Sequence, residues 1–297
     1  MTRWMLAALC LGIGAGALDA QRPIKVLISV DMEGITGVAT GEQLGPTGFE
    51  YQRFREFMTA EALAAIEGAR AGGATEFLVA DSHGNMQNLL IDRFPPDVRI
   101  IRGSPRQYSM VAGIDSSISA VMFIGYHSAT TNPKGVRAHT LSSATLAAVT
   151  LNGVPQSESS LNAAVAGMFG APVVLVSGDD AAVAEVQQII PNVEGAVVKR
   201  SLGFHSTETM TPQAGQDLIR TKAKAAIERL RQIKPFVVRG PYTLDITYKS
   251  YLPAEVAALL PGVTRHDAHT VRYATPSLTD AVTLLQFLTT YRSDLQP

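Results

Sequence analysis

Short apolar runs rich in β-branched residues recur along this chain. Each is about one strand long, and most are separated from the next by a longer segment of helical periodicity. IKVLISV (24–30), EFLVA (76–80), VRIIRG (98–103), AVMFIGY (120–126) and PVVLVSG (172–178) read as strands. Between them, FEYQRFREFMTAEALAAIEGARAGG (49–73) reads as a long amphipathic helix ending in glycines, and QYSMVAGI (107–114) as a shorter helix. Strands that alternate with helices specify an α/β domain, a mostly parallel sheet flanked by helices.

The pattern changes after residue 140. TLAAVTLNGVPQSE (145–158) places Asn-Gly between apolar runs, which predicts a hairpin. A helix is expected over 160–170, a second over 181–190, a strand over 193–200 and a long helix over 211–233 with Pro212 in its first turn. The chain then runs strand YTLDITYK, helix PAEVAALL, strand HTVRYAT and helix LTDAVTLLQFLTTYR, which predicts a second, smaller α+β domain. No Pro/Gly/Ser-rich linker fixes the internal boundary between the two lobes of 21–297.

The first twenty residues stand apart. MTRW is followed by the uncharged run MLAALCLGIGAGAL and then LDAQ, the order of a secretory signal peptide over 1–20 cleaved after Ala20. The run is shorter than the roughly 20 residues of a membrane span, so no stable membrane anchor is expected after cleavage, and the mature chain is expected to be exported, periplasmic or secreted. Leu9 fits poorly before a lipidated Cys10. Cys10 is the sole cysteine, so a chain starting at Gln21 has no thiolate ligand, disulfide or cysteine nucleophile. With 25 basic and 26 acidic residues and no basic stripe, nothing points to nucleic acid.

Ligands of open parallel sheets bind outside the carboxyl ends of the strands. The first strand is followed by Asp31 and Glu33 in ISVDMEG, the second by Asp81 and His83 in DSHGN, and the 120–126 strand by His127 in GYHS. Residues i and i+2 of extended chain share a face, so each pair can converge. One such aspartate is commonly a turn or cap and one buried histidine commonly structural; three strand ends together argue for a metal. Two like charges at a buried strand end repel, and a divalent cation between them removes the repulsion. Nitrogen and oxygen donors suit zinc, manganese, cobalt or nickel, and two carboxylates with two histidines are enough to begin a two-metal site.

SVDMEG, DSHG, GYHS, AHT and NGVPQSESSLNAAVAG occur in the order and at the spacing of the D-aminopeptidase family of zinc metallopeptidases, which the chain resembles over roughly 24–290. The resemblance implies five ligands of a two-zinc centre, Asp31, Glu33, His83, His127 and Glu158, and an active-site histidine, His139, as nucleophile or base. It implies a short-peptide substrate with an N-terminal D-residue and a ring-like homo-oligomer, a decamer in the family. The loop HSATTNPKGVRAHT looks slightly longer than usual, and a leader departs from the family's cytoplasmic member. Two other functions fit the same residues: a metal-dependent amidase or esterase on a non-peptide substrate, and a non-catalytic periplasmic solute- or metal-binding protein. His205, His266 and His269 are read as loop or surface residues. GEQ (41–43) and GPTG (45–48) lack the Lys-Ser/Thr of a phosphate-binding loop.

Overall fold

The computed structural model describes residues 23–291. The leader read over 1–20, its cleavage point and Cys10 lie outside the described residues.

The first sheet is built from β1 (Lys25–Val30), β2 (Glu76–Asp81), β3 (Val98–Ile101), β4 (Ala120–Tyr126), β7 (Val173–Asp179), β8 (Glu194–Gly203) and β9 (Ser206–Thr209), in the order β3-β2-β1-β4-β7-β8-β9. All pairs are parallel except β8 with β9. Every residue of β4 and β7 is buried, as the uninterrupted apolar runs require of strands covered on both faces. Helix α1 (Tyr51–Ala71) packs on β1 and β4 and against α4 (Pro212–Glu228), which covers β7 and β8; α2 (Glu158–Met168) lies on β4 and touches α3 (Asp180–Ile189). The strand order reverses between β1 and β4. The chain runs outward from β1 through β2 to β3, then returns to the other side of β1 for β4, which opens a crevice where the two directions part.

The second sheet is antiparallel, ordered β11-β12-β10-β5-β6 from β5 (Leu146–Leu151), β6 (Val154–Pro155), β10 (Tyr242–Tyr248), β11 (Val263–Arg265) and β12 (Thr270–Thr275). Asn152 and Gly153 turn β5 into β6 with φ of 52° and 77°, the left-handed pair that an Asn-Gly hairpin supplies. Along β10 buried Leu244, Ile246 and Tyr248 alternate with less buried residues, the signature of a sheet covered on one face. With α5 (Tyr251–Ala257) and α6 (Leu278–Thr290) this sheet encloses its own apolar cluster, the smaller lobe. Helix α6 also reaches back to the first lobe, where Gln286 Nε2 donates to the Arg106 carbonyl at 2.8 Å.

One expected helix is absent. Over 107–114 there is a single 3-10 turn, Ser109–Val111. Tyr108 and Ser109 stand at φ of 59° and 45°, left-handed values that break a right-handed helix at its start. The short strands β9 and β11 were not expected; β9 has no apolar alternation to reveal it, and β11 only three residues.

Candidate metal centre

Asp31 and Glu33 leave β1, His83 leaves β2 and His127 leaves β4, so four of the donors stand at the carboxyl edge beside the crevice. Glu158 is the first residue of α2. Ser157 and Ser160 form a reciprocal cap there that fixes the helix entry, and the Glu158 carboxylate accepts the Leu141 N–H at 2.7 Å. His139 lies on the loop between β4 and β5. That loop is held from behind: Val136 N–H donates to Asp179 Oδ2 at 2.7 Å, and Asn132 Nδ2 to Glu185 Oε1 at 2.6 Å.

The structure brings all six side chains together. Asp31, Glu33 and His83 form one cluster and His127, His139 and Glu158 a second, each with donor atoms within 4.8 Å of one another. Asp31 joins them: Oδ1 lies 3.2 Å from His83 Nδ1 and Oδ2 lies 3.3 Å from His127 Nε2. Glu33 Oε2 is 2.9 Å from His83 Nδ1, and Glu158 Oε2 is 3.3 Å from His127 Nε2. His139 Nε2 faces Glu158 Oε1 at 3.6 Å and Glu33 Oε1 at 3.9 Å, and its ring stacks on that of His127 with centroids 4.0 Å apart.

Each imidazole is tethered at one nitrogen. His83 Nε2 lies 2.7 Å from the Leu44 carbonyl, His127 Nδ1 3.0 Å from that of Ser128, and His139 Nδ1 2.8 Å from that of Arg137. A carbonyl only accepts, so the proton sits on those nitrogens and the opposite nitrogen of each neutral ring presents a lone pair to carboxylate oxygens. Lone pair against lone pair requires a cation between them. A proton meets that need at each pair separately. Burial opposes the charged forms, yet the neighbouring carboxylates, Glu33 foremost for His83 and Glu158 for His127, hold both imidazoles well above their ordinary range. Burial and the Glu33 charge push Asp31 up, whereas in Glu33 and Glu158 the histidine charges outweigh burial and hold them low. A divalent metal meets the same need for several donors at once and displaces those protons. Asp31 Oδ2 and His127 Nε2 make no hydrogen bond among the described residues although both are buried. The donor set is entirely nitrogen and oxygen, and it fits one or two divalent cations.

Asp81 is not part of the centre. Its carboxylate accepts from Leu89 N at 2.7 Å and Asn88 Nδ2 at 2.8 Å, bonds that shape the loop after His83. His205, at the exposed β8–β9 turn, lies 3.1 Å from Arg137 Nη1, and His266 and His269 sit exposed at the β11–β12 turn. Sequence reasoning missed the support behind the donors. Asp179 ends β7 as Asp31 follows β1, a signal that was available. Lys199 and Glu61 are buried charges inside a strand and a helix, with nothing local to mark them.

All the donors but His127 line a cleft of 630 Å³, shared with Asn85, Met110, Ser142 and, from α6, Thr289 and Thr290. It is roomy enough for a short peptide, and Asp31, Glu33, His139 and Glu158 all face it.

The D-aminopeptidase family model matches residues 24–287. A D-aminopeptidase of Bacillus subtilis (strain 168) is 35% identical over 239 residues, 80% of this chain and 86% of the relative. Among solved structures, the fold superposes with a TM-score of 0.87 and 32% identity on one described as the Zn-dependent D-aminopeptidase DppA from Bacillus subtilis, a self-compartmentalizing protease; the match covers 92% of this chain and all of that one.

Proposed function

The chain belongs to the D-aminopeptidase family, and on that footing we propose that it is a zinc-dependent aminopeptidase that removes the N-terminal residue, in D configuration, from short peptides or amino-acid amides. The observation that carries the reading is the set of three tethered imidazoles aiming lone pairs at three buried carboxylates on the floor of a peptide-sized cleft.

Asp31, Glu33 and His83 would hold one zinc and His127 and Glu158 a second, with Asp31 shared between them. When bound, paired zinc ions supply Lewis acidity toward the scissile carbonyl and an activated water. The remaining steps fall to the chain's own residues. His139 is 12% exposed at its side chain, the most accessible of the three imidazoles, and it lines the cleft. With Nδ1–H fixed on the Arg137 carbonyl, Nε2 is free to take a proton during attack and return it to the departing amine. Glu33 and Glu158, each within 4 Å of that nitrogen, stabilise the imidazolium while it carries the proton. The cleft walls orient the peptide over this floor.

For the assembled state we propose a homo-oligomer. Tyr251, Leu252 and Val256 on α5, with Leu259 just beyond it, are exposed together, an apolar face of the kind that a partner covers.

The deciding experiment is metal analysis of the purified chain, coupled to hydrolysis of D-alanyl and L-alanyl amides before and after chelation. The expected result is stoichiometric zinc, cleavage of the D-amide, loss on chelation and recovery with zinc. Cleavage of non-peptide amides or esters alone would turn the reading into an amidase or esterase, and bound metal without turnover into a binding protein.

A further inference from the structure

The segment carrying Glu33 away from the sheet is neither helix nor strand. Residues 33–37 run as turns and a bend, so most of the peptide groups from 33 to 38 lack a regular ladder partner and must be satisfied otherwise. Three carbonyls of this segment converge on one side chain. Lys199, on β8 and 2% exposed, donates from Nζ to the carbonyls of Glu33, of Ile35 at 3.2 Å and of Val38 at 2.7 Å. An ammonium has three donors, and all three are spent on this loop. From the other side Glu61, on α1 and 1% exposed, accepts the Thr36 N–H at 2.9 Å. Two buried ionisable side chains, one basic and one acidic and from two different elements, therefore hold one short loop by its backbone.

Burying an ammonium is costly, and although buried Asp179 pairs with Lys199 across β7 and β8, its carboxylate oxygens accept from the Val136 and Ala182 N–H groups, while the ammonium donors go to the loop carbonyls. The benefit falls on the residue whose own carbonyl is gripped. We propose that Lys199 is a positioning residue of the metal centre: by fixing the carbonyls of residues 33, 35 and 38 it aims the Glu33 carboxylate, and through Glu33 it sets the affinity of the cluster for its divalent cation. This rests on the metal reading given above. Outer-shell supports of this kind typically change metal affinity about 10- to 100-fold when removed.

The sign of the effect separates positioning from simple electrostatics. Removing a positive charge near a cation site would by itself tighten cation binding; losing the aim of Glu33 weakens it. The test is Lys199→Met in the mature full-length chain, with zinc affinity measured by competition against a chromogenic chelator, the visible spectrum of the cobalt(II)-substituted protein, and thermal unfolding. The expected result is zinc binding roughly 10- to 100-fold weaker, an altered cobalt spectrum, and a fall in kcat larger than any change in KM. Val198→Ala, at the adjacent buried position, serves as the packing control: its melting temperature drops while zinc affinity and cobalt spectrum stay those of wild type. Lys199→Met with wild-type or tighter zinc affinity and an unchanged cobalt spectrum would overturn the inference and leave a purely structural lysine. Should the methionine variant not fold, Lys199→Gln keeps two N–H donors and is read in the same way. Because zinc stabilises any variant that still binds it, recovery of folding supports the coupling only if it needs more zinc than Val198→Ala does; recovery at the same zinc concentration, or failure of both variants with and without zinc, assigns the lysine to folding alone. A wild-type chain that binds no zinc refutes the metal reading itself, an outcome distinct from a variant that binds as well as wild type.

Discussion

Asp31→Asn is the most informative single substitution, because one carboxylate faces both clusters. Its two oxygens lie 3.2 Å and 3.3 Å from imidazole nitrogens of opposite groups, and the residue is 2% exposed. Asparagine keeps the shape and can keep the acceptor that receives the Met32 N–H at 2.8 Å, while the backbone remains fixed by Asp31 N–H donating to the Ile124 carbonyl at 2.8 Å. The fold should survive, and the lost quantity is the charge. Removing one partner of a buried ionic contact costs about 3–5 kcal/mol. At about 1.4 kcal/mol per decade, that is roughly two to three and a half decades of cation affinity. The variant should therefore hold at least one zinc fewer under conditions where wild type is saturated, and its turnover of a D-alanyl amide should fall to near background. Chelator competition reports the affinity, elemental analysis the stoichiometry and far-ultraviolet circular dichroism the fold. Full zinc occupancy with normal turnover would refute the shared-carboxylate arrangement.

Further expected outcomes follow from other residues. His139→Ala should retain its zinc while turnover falls roughly 10²- to 10⁴-fold, the range for losing a general acid–base group; zinc content that falls in step with turnover would instead make His139 a ligand. Burial raises the Glu61 carboxyl from 4.5 to about 7. Between those values the folded chain binds more protons than the unfolded one, so wild type loses stability as pH rises through that window, on the order of 3 kcal/mol. Glu61→Gln should remove this slope and melt higher than wild type above pH 7 but not near pH 4, and parallel melting curves across pH would contradict it. Chain recovered from a native host should begin near Gln21 outside the cytoplasm, and N-terminal sequencing that returns Met1 from cytoplasmic protein would refute export. Leu252→Asp should shift the chain to a smaller species by light scattering if the α5 face is an interface.

The parallel sheet was legible in the sequence because its inner strands are apolar throughout, and the antiparallel one because β10 alternates and Asn152-Gly153 forces a tight turn. Looking past strand ends reached Asp31, Glu33, His83 and His127, since the edge of a parallel sheet is where side chains meet open space. Glu158 and His139 lie on a helix start and a loop, where no periodicity points inward, and only the family resemblance drew attention to them. The same rule admitted Asp81, which answers to local N–H groups; spacing cannot tell a carboxylate that shapes a turn from one that faces a cation. The 107–114 segment misled for a backbone reason, two left-handed residues that the side-chain pattern does not betray. Lys199 was invisible because its partners are carbonyls more than 160 positions away.

Where the chain leaves β1 it presses bare backbone against the end of β4. Gly34 N–H donates to the Gly125 carbonyl at 2.7 Å, and a Cβ on Gly34 would stand 2.0 Å from the Tyr126 carbonyl oxygen. Gly125, at φ +72°, leaves no more room, for a Cβ there would meet the Asp31 carbonyl at 2.3 Å. Asp31 and Glu33 are thus mounted on the same joint as His127, with no side chain between to act as a spring. A side chain at either glycine would force the ends of β1 and β4 apart, and with them Asp31, Glu33 and His127. His139 stands apart from this joint, on the 135–142 segment, where Val136 N–H is tied to Asp179 and Leu141 N–H to Glu158.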